Sequence, residues 1–158
     1  MRELRSIFLL GTLLICGCAT ARFYPVEGPL AAQTPPPVLV GKIRGAFYSG
    51  SVSVTLSDGE KCQGQWATVV RPEKSTSAPA GAPGNLAAEW DLIYGPGFYV
   101  SHVLGARLYA KATLSGNKGT SLNLEMYKPS DLIRGETAAA VKGVARDGKG
   151  NVYKVTFS

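Results

Sequence analysis

The chain has 158 residues, of which 45% are hydrophobic and only 18% are charged, with 19 Gly and 10 Pro. This length leaves room for one ordinary domain, since single domains usually run roughly 100–200 residues, and the composition favours a turn-rich β fold over a charged helical one. The net charge of +6 is scattered without a block of like charges, which argues against a nucleic-acid-binding tail and against a nucleic-acid partner.

The N-terminal segment has the features of a signal peptide. Positive charges at Arg2 and Arg5 precede the apolar run IFLLGTLLI over residues 7–15. Its length falls within the roughly 7–15 residues of a signal-peptide core and short of the about 20 residues that a transmembrane helix needs. We therefore expect residues 1–17 to be a signal peptide that is removed.

Residues 14–18 read LICGC and end at Cys18. This run resembles the lipobox of bacterial lipoproteins, in which an aliphatic residue, a small residue and Gly or Ala precede an acylated cysteine. The resemblance implies cleavage before Cys18, a diacylglyceryl group on its thiol, and attachment to a membrane by acyl chains such as palmitate. Ala19 stands where an Asp retains Gram-negative lipoproteins on the inner membrane, so the resemblance further implies an outer-membrane location facing the periplasm.

Two other interpretations of the N-terminus stay open. Residues 19–21 read ATA and fit the A-x-A site of ordinary signal peptidase, whose cleavage would release an unanchored chain beginning at Arg22. The apolar segment could also stay uncleaved as an anchor, although it is short for that role.

Residues 18–37 are expected to form a Pro-rich tether between the lipid and the domain. They include the run TPPP at residues 34–37, and successive prolines favour a semi-rigid polyproline II spacer of about 3.1 Å per residue. Phe23, Tyr24 and Val26 leave other interpretations open, in which the segment docks on the domain as an N-terminal strand or lid, or lies at the lipid headgroups.

The clearest pattern in the domain, expected over residues 38–158, is period-two alternation. Residues 51–57 read SVSVTLS and lead into Asp58-Gly59, which predicts a half-buried strand followed by a tight hairpin turn. Beyond the turn, Cys62 and Trp66 share one strand face, so Cys62 is expected to point into the core. With the thiol of Cys18 acylated, Cys62 has no disulfide partner in the mature chain.

Alternation continues after an interruption. Residues 72–86 read PEKSTSAPAGAPGNL, a composition that predicts a mobile loop. Apolar alternation over residues 88–94 and 98–104 predicts two strands. Three more strands are predicted over residues 108–114, 122–126 and 153–157, with Gly-rich turns before the last two.

The sum of these segments predicts an all-β fold with about eight or nine short strands, arranged as a small antiparallel barrel or a two-sheet sandwich. One short helix is predicted near residues 130–141, where an alanine run has good helix propensity. Small residues at Ala106, Ala110 and Ala112 share one strand face and could leave room for a ligand inside a barrel.

The chain offers few residues for nucleophilic catalysis or metal binding. His102 is the sole histidine, so a nucleophile and base pair would have to join it to Cys62, and nothing in their spacing does so. One cysteine and one histidine are too few for a zinc site. We therefore expect no metal and no cofactor.

Two carboxylate pairs, Asp58/Glu60 and Glu89/Asp91, remain as candidate acid and base groups. Each pair would alternate onto one strand face, where its members could share a cation or transfer protons. A turn role for Asp58 and a solvated surface for the second pair explain them more simply.

The leading functional hypothesis from the sequence is a non-enzymatic, membrane-anchored envelope lipoprotein. Cys18 is its lipidation site, and its β-domain is expected to contact another envelope protein or a cell-wall component. The first alternative is a lipid or small-ligand carrier that uses a barrel interior. The second is a hydrolase centred on His102.

Overall fold

The computed structural model describes residues 17–46, 48–69, 85–104, 106, 108–129 and 140–158, and not the side chains of Gly17, Ala46 and Leu108. These residues contain eight strands: β1 Gly17–Glu27, β2 Leu39–Ala46, β3 Ser49–Thr55, β4 Lys61–Thr68, β5 Leu108–Gly116, β6 Ser121–Lys128, β7 Lys142–Asp147 and β8 Val152–Phe157. Between β4 and β5 lie one α-helix, α1 Ala87–Tyr94, and a π-helical turn, Tyr99–Val103.

The eight strands form one closed barrel in which each strand pairs antiparallel with the next. The barrel closes where β1 pairs with β8, with Ala21 opposite Phe157 and Phe23 opposite Val155. Closure satisfies the backbone donors and acceptors that a sheet edge would leave unpaired. The prediction of an all-β fold is confirmed, and the architecture is a barrel and not a sandwich.

The barrel interior is built from the alternate residues of each strand, as the period-two pattern requires. Phe23, Leu114, Leu122 and Tyr153 are among its large, fully buried side chains. Small inward residues lie beside large ones, and this combination fills a barrel of eight strands. Cys62 belongs to this core and is fully buried, so its predicted inward direction is confirmed.

The two ends of the barrel differ. At the closed end, short hairpin turns join β3 to β4, β5 to β6 and β7 to β8, and the β1–β2 connection places Leu30 in the interior core. At the other end, which we call the open end, β1 begins and β4, β6 and β8 end.

The prediction of a Pro-rich tether over residues 18–37 is wrong for residues 18–27, which form most of β1. The alternative interpretation, in which Phe23 belongs to an N-terminal strand of the domain, is confirmed by the pairing of β1 with β2 and β8. Pro25 and Val26 lie where the β1–β8 register shifts. A single proline is tolerated at such an irregularity, because no ladder hydrogen bond is required of it there.

The strands predicted over residues 88–94 and 98–104 are also wrong, because these segments form α1 and the π-helical turn. Buried Leu86 and Trp90 and half-buried Ile93 recur at intervals of four and three residues, which is the helical period. The Ala-Ala-Glu start of α1 also favours a helix over a strand.

Two further predictions fall largely outside the described residues. Of the loop predicted over residues 72–86, only Asn85 and Leu86 are described, and Leu86 is buried. Of the helix predicted near residues 130–141, only Ala140 and Val141 are described.

Candidate functional site at the mouth of the barrel

A cavity of about 400 Å³ lies at the open end of the barrel. We call this cavity the mouth; its lining residues are Cys18, Ala19, Ile43, Arg44, Gly45, Trp66, Thr68, Ala110, Met126, Tyr127, Lys128, Val141 and Phe157. Most of these side chains are apolar, and they come from β1, β2, β4, β5, β6 and β8, with Val141 just before β7. The cavity is in the range of about 300–1,000 Å³ that is typical of small-molecule sites.

The wall of the mouth is shaped by the packing of Trp66 against two glycines. The indole Nε1 of Trp66 donates a hydrogen bond of 3.0 Å to the carbonyl oxygen of Arg44. A Cβ at Gly50 would lie 2.6 Å from this Nε1, and one at Gly45 would lie 2.8 Å from the indole ring. Glycine at both positions therefore lets the indole lie against the β2–β3 wall.

The rim of the mouth combines basic and exposed apolar groups. Arg44 and Lys128 are the charged residues among its described lining residues, and both are positive. Tyr48 and Val69 follow β2 and β4 at the same end of the barrel, and their side chains are 68% and 39% exposed. The arrangement suits a ligand with an apolar chain and a negatively charged head.

The closed end is blocked by a network around Glu60, whose side chain is only 1% exposed. Its carboxylate accepts hydrogen bonds from the hydroxyl and backbone N–H of Thr120 and from the backbone N–H of Lys118. The Thr120 hydroxyl is the main cause of a pKa for Glu60 lowered from 4.5 to about 2, and burial opposes this shift. Lys149 bridges Glu60 and Asp58 at 3.3 and 2.6 Å.

A second buried carboxylate, Asp147, joins the β7–β8 turn to the barrel floor. It accepts hydrogen bonds from the backbone and side-chain amides of Asn151 and, at 2.7 Å, from the hydroxyl of Tyr153. Burial is the main cause of the raised pKa of Tyr153, and the bond to Asp147 adds to it. The side-chain oxygen Oδ1 of Asn151 accepts a hydrogen bond from the backbone N–H of Leu30. Because these polar groups at the closed end bind one another and the turn backbone, we assign them a structural role.

The helical segment packs on the outside of the barrel. Trp90 of α1 is fully buried against Tyr127 and Val144, and its indole Nε1 donates to the buried carboxylate of Glu125 at 2.9 Å. The same carboxylate accepts the backbone N–H of Leu86 at 3.1 Å. These contacts hold α1 against the barrel wall and away from its interior.

The structure does not bring the predicted candidate catalytic residues together. Cys62 is buried inside the barrel, where burial raises the pKa of its thiol. His102 lies in the exposed π-helical turn outside the barrel, where its ring stacks on Phe98 and its Nδ1 lies 2.8 Å from the Ser101 hydroxyl. Among the described residues, no group of three or more His, Cys, Asp or Glu side chains could hold a metal ion.

The two carboxylate pairs have different environments. Asp58 and Glu60 both contact Lys149. Glu89 instead pairs with Arg146 on β7, and Asp91 accepts the backbone N–H of Tyr99 at 2.9 Å. The predicted shared strand face of the second pair is wrong, because α1 is a helix.

Sequence reasoning identified the mouth only in part. Of the three small residues expected to leave internal room, Ala110 lines the mouth, Ala112 is buried in the core, and Ala106 packs against the external cluster around Trp90. The predicted strand face shared by Cys62 and Trp66 was the other signal, because Trp66 lines the mouth.

Cys18 is exposed at the beginning of β1 and belongs to the lining of the mouth. In the described part of the chain, no helix has the length and apolar character that crossing a membrane requires. Comparison with known proteins finds no matching family model, no matching curated protein and no matching solved structure.

Proposed function

We propose that this chain is a lipid-anchored lipoprotein of the bacterial envelope whose barrel mouth binds a ligand with an apolar chain, such as a fatty acid. The observation that carries the binding role is the open cavity of about 400 Å³ with its mostly apolar wall. Moving the apolar chain of the ligand from water into this cavity stabilises the complex by about 0.8 kcal/mol for each buried methylene. The role is binding and carriage, and it requires no catalytic residue.

The position of Cys18 supports the proposed lipid anchor over the other cleavage site. A chain that begins at Cys18 keeps every β1 pairing with β2 and β8 except that of Gly17 with Gly45. A chain that begins at Arg22 would lose Ala21, which is fully buried and pairs with Gly41 and Phe157. These pairings support Cys18 as the proposed site of acylation. The outer-membrane location facing the periplasm is part of the same proposal and rests on Ala19, which follows the cysteine.

The anchor is tested by metabolic labelling with palmitate in a Gram-negative host. We expect the full chain to incorporate label and to remain in the outer-membrane fraction, and Cys18→Ser to do neither. Label retained by the Cys18→Ser variant would contradict acylation at this cysteine.

Ligand binding is tested on an unacylated chain that begins at residue 18, carries Cys18→Ser and keeps every barrel strand. A dansyl-labelled fatty acid should show saturable binding. Ala110→Phe should weaken it roughly tenfold, because excluding about two methylenes costs about 1.6 kcal/mol.

The matched control for this test is Ala88→Phe, the same substitution at an exposed position of α1. It should bind the probe as the parent does, and both variants should unfold cooperatively in urea. Equal probe affinity for both variants would contradict binding in the mouth.

A second candidate function is contact with another envelope protein through the helical segment. It is favoured by Leu92, Val100 and Leu104, whose side chains are 54%, 66% and 45% exposed on this segment. Exposed apolar groups of this size are typical of interaction surfaces when they form a patch. A photo-crosslinking residue that replaces Val100 should then give one discrete adduct in cells. The same photo-crosslinking residue in place of Lys42, on β2, should not give this adduct. Identical adduct patterns at both positions would contradict it.

A further inference from the structure

The position of the anchor site leaves no spacer between the lipid and the barrel. Cys18 pairs with Arg44 of β2, and two residues later Thr20 exchanges both backbone hydrogen bonds with Ser158, at 2.8 and 3.0 Å. The start of β1 is therefore held on both sides. Because a strand rises only about 3.3 Å per residue, acyl chains on Cys18 would begin at the rim of the mouth.

The chemistry of this rim matches a membrane surface. Tyr48 and Val69 are exposed there, and tyrosine is enriched at the boundary between headgroups and hydrocarbon. Arg44 and Lys128 add positive charge next to the apolar wall, and basic side chains near a bilayer are attracted to anionic lipids.

The closed end carries acidic as well as basic groups. Asp58, Glu60 and Asp147 lie there, in a network of hydrogen bonds and ion pairs with Lys149 and the turn backbone. Leu30 from the β1–β2 connection packs into the core at this end. The rim of the mouth, with basic groups beside exposed apolar ones, is therefore the end better suited to contact with an anionic bilayer.

We propose that the open end of the barrel rests on the membrane that holds the anchor, and that the mouth takes an acyl chain of an anionic phospholipid while Arg44 and Lys128 face its phosphate. This inference rests on the proposed anchor at Cys18 and deepens the proposed ligand binding. It names the ligand source as the bilayer itself and not free fatty acid in the periplasm.

The two tryptophans of the chain provide the test. Trp66 lines the mouth, whereas Trp90 is buried on the outer flank. Two variants of the acylated full chain are purified from membranes: Trp90→Phe keeps Trp66, and Trp66→Phe keeps Trp90. Each is reconstituted in vesicles of phosphatidylglycerol and phosphatidylcholine whose acyl chains carry bromine. Bromine quenches tryptophan emission on contact.

We expect the bilayer bromine to quench Trp66 several-fold more strongly than Trp90. Aqueous iodide is tested on the chain that keeps both tryptophans, since Trp90 is fully buried and out of its reach. It should quench Trp66 less in unbrominated vesicles of the same lipids than in the unacylated chain in solution. Equal bromine quenching of Trp66 and Trp90 would overturn the inference. The iodide measurement keeps it falsifiable if Trp66→Phe does not fold, because unchanged access of iodide to Trp66 would overturn it as well.

The charge requirement is tested separately. The Arg44→Gln/Lys128→Gln variant should lose most of the dependence of Trp66 quenching on phosphatidylglycerol content. A matched variant, Lys42→Gln/Lys61→Gln, removes the same charge from exposed positions outside the mouth lining and should keep that dependence. Equal behaviour of the two variants would overturn the assignment of the phosphate to the rim.

These outcomes are distinguishable from failure of the proposed function. A chain that takes up no palmitate, or whose mouth binds no dansyl-labelled fatty acid in solution, contradicts the proposed function by assays that need no vesicle. If the chain takes up palmitate and binds the dansyl-labelled fatty acid but shows no preferential quenching of Trp66, the proposed function stands. The orientation of the mouth toward the bilayer is then contradicted.

Discussion

The charge of Glu60 is tied to the folded state. Its carboxylate is almost fully buried, yet it accepts hydrogen bonds from Thr120 and Lys118 and contacts the ammonium group of Lys149. Such a carboxylate stabilises the fold only while it is ionised, because the bound donors favour its charged form.

The free energy of unfolding should fall as pH drops from about 4.5 to about 2 through loss of this charge. The folded pKa of Glu60 is lowered from 4.5 to about 2, so the unfolded chain binds the proton first and acid favours unfolding. Glu60→Gln should be less stable at neutral pH and should show a flatter pH dependence in that window, as measured by urea unfolding. Glu27→Gln, at an exposed position at the end of β1, should keep the parental slope, and an equally steep slope in Glu60→Gln would contradict the role of this carboxylate.

At the scale of elements, α1 is held by a few contacts with the barrel wall. The indole of Trp90 stacks with Tyr94 and Phe98, at ring centroid distances of 5.4 and 6.0 Å, and donates to Glu125. Isolated helices of this length are marginal in water. The helix therefore depends on the sheet beneath it, which explains why an alternating pattern alone misidentified it as a strand.

Trp90→Ala should reduce the free energy of unfolding by about 3–5 kcal/mol, since it empties a buried aromatic site and removes a donor from the buried Glu125 carboxylate. Leu92→Ala, two residues along the same helix and 54% exposed, should change it by no more than about 0.5 kcal/mol. Urea unfolding followed by circular dichroism measures both. A loss from Leu92→Ala as large as that from Trp90→Ala would show that α1 packs through a different face.

For the whole molecule, the decisive feature is closure of the barrel by the N-terminal strand. β1 contacts β2 and β8 along most of its length and contributes Phe23 to the core. Removing it would expose two sheet edges and one side of the hydrophobic interior. Exposed edges of this kind promote aggregation.

A chain that begins at residue 28 lacks β1 and should therefore fail to fold. If residues 18–37 were only a tether, their first ten residues could be removed without loss of the fold. A chain that begins at residue 18 should unfold cooperatively and elute as a discrete species, whereas the shorter one should aggregate or lack a thermal transition. Size-exclusion chromatography and circular dichroism measure both. Cooperative unfolding of the shorter chain would contradict the role of β1 in closure.

The candidate site was only partly predictable, because it is assembled from several strands. Ala110 was recognisable as a small inward residue, but the sequence could not indicate that it lies near Val141 and Phe157 at one end of a barrel. The place of Cys18 on the same rim depends on the registers of β1 with β2 and with β8. A register is set by contacts between segments distant in sequence, which periodicity does not contain.

The all-β class, the Asp58-Gly59 hairpin and the inward direction of Cys62 could be predicted from the sequence, because alternation and turn chemistry are local properties of neighbouring residues. Tertiary contacts were needed to show that the sheet closes through β1, that residues 87–94 form a helix, and that the described residues at one end of the barrel line a cavity. Each of these depends on burial against residues far along the chain, and such packing overrides local propensity.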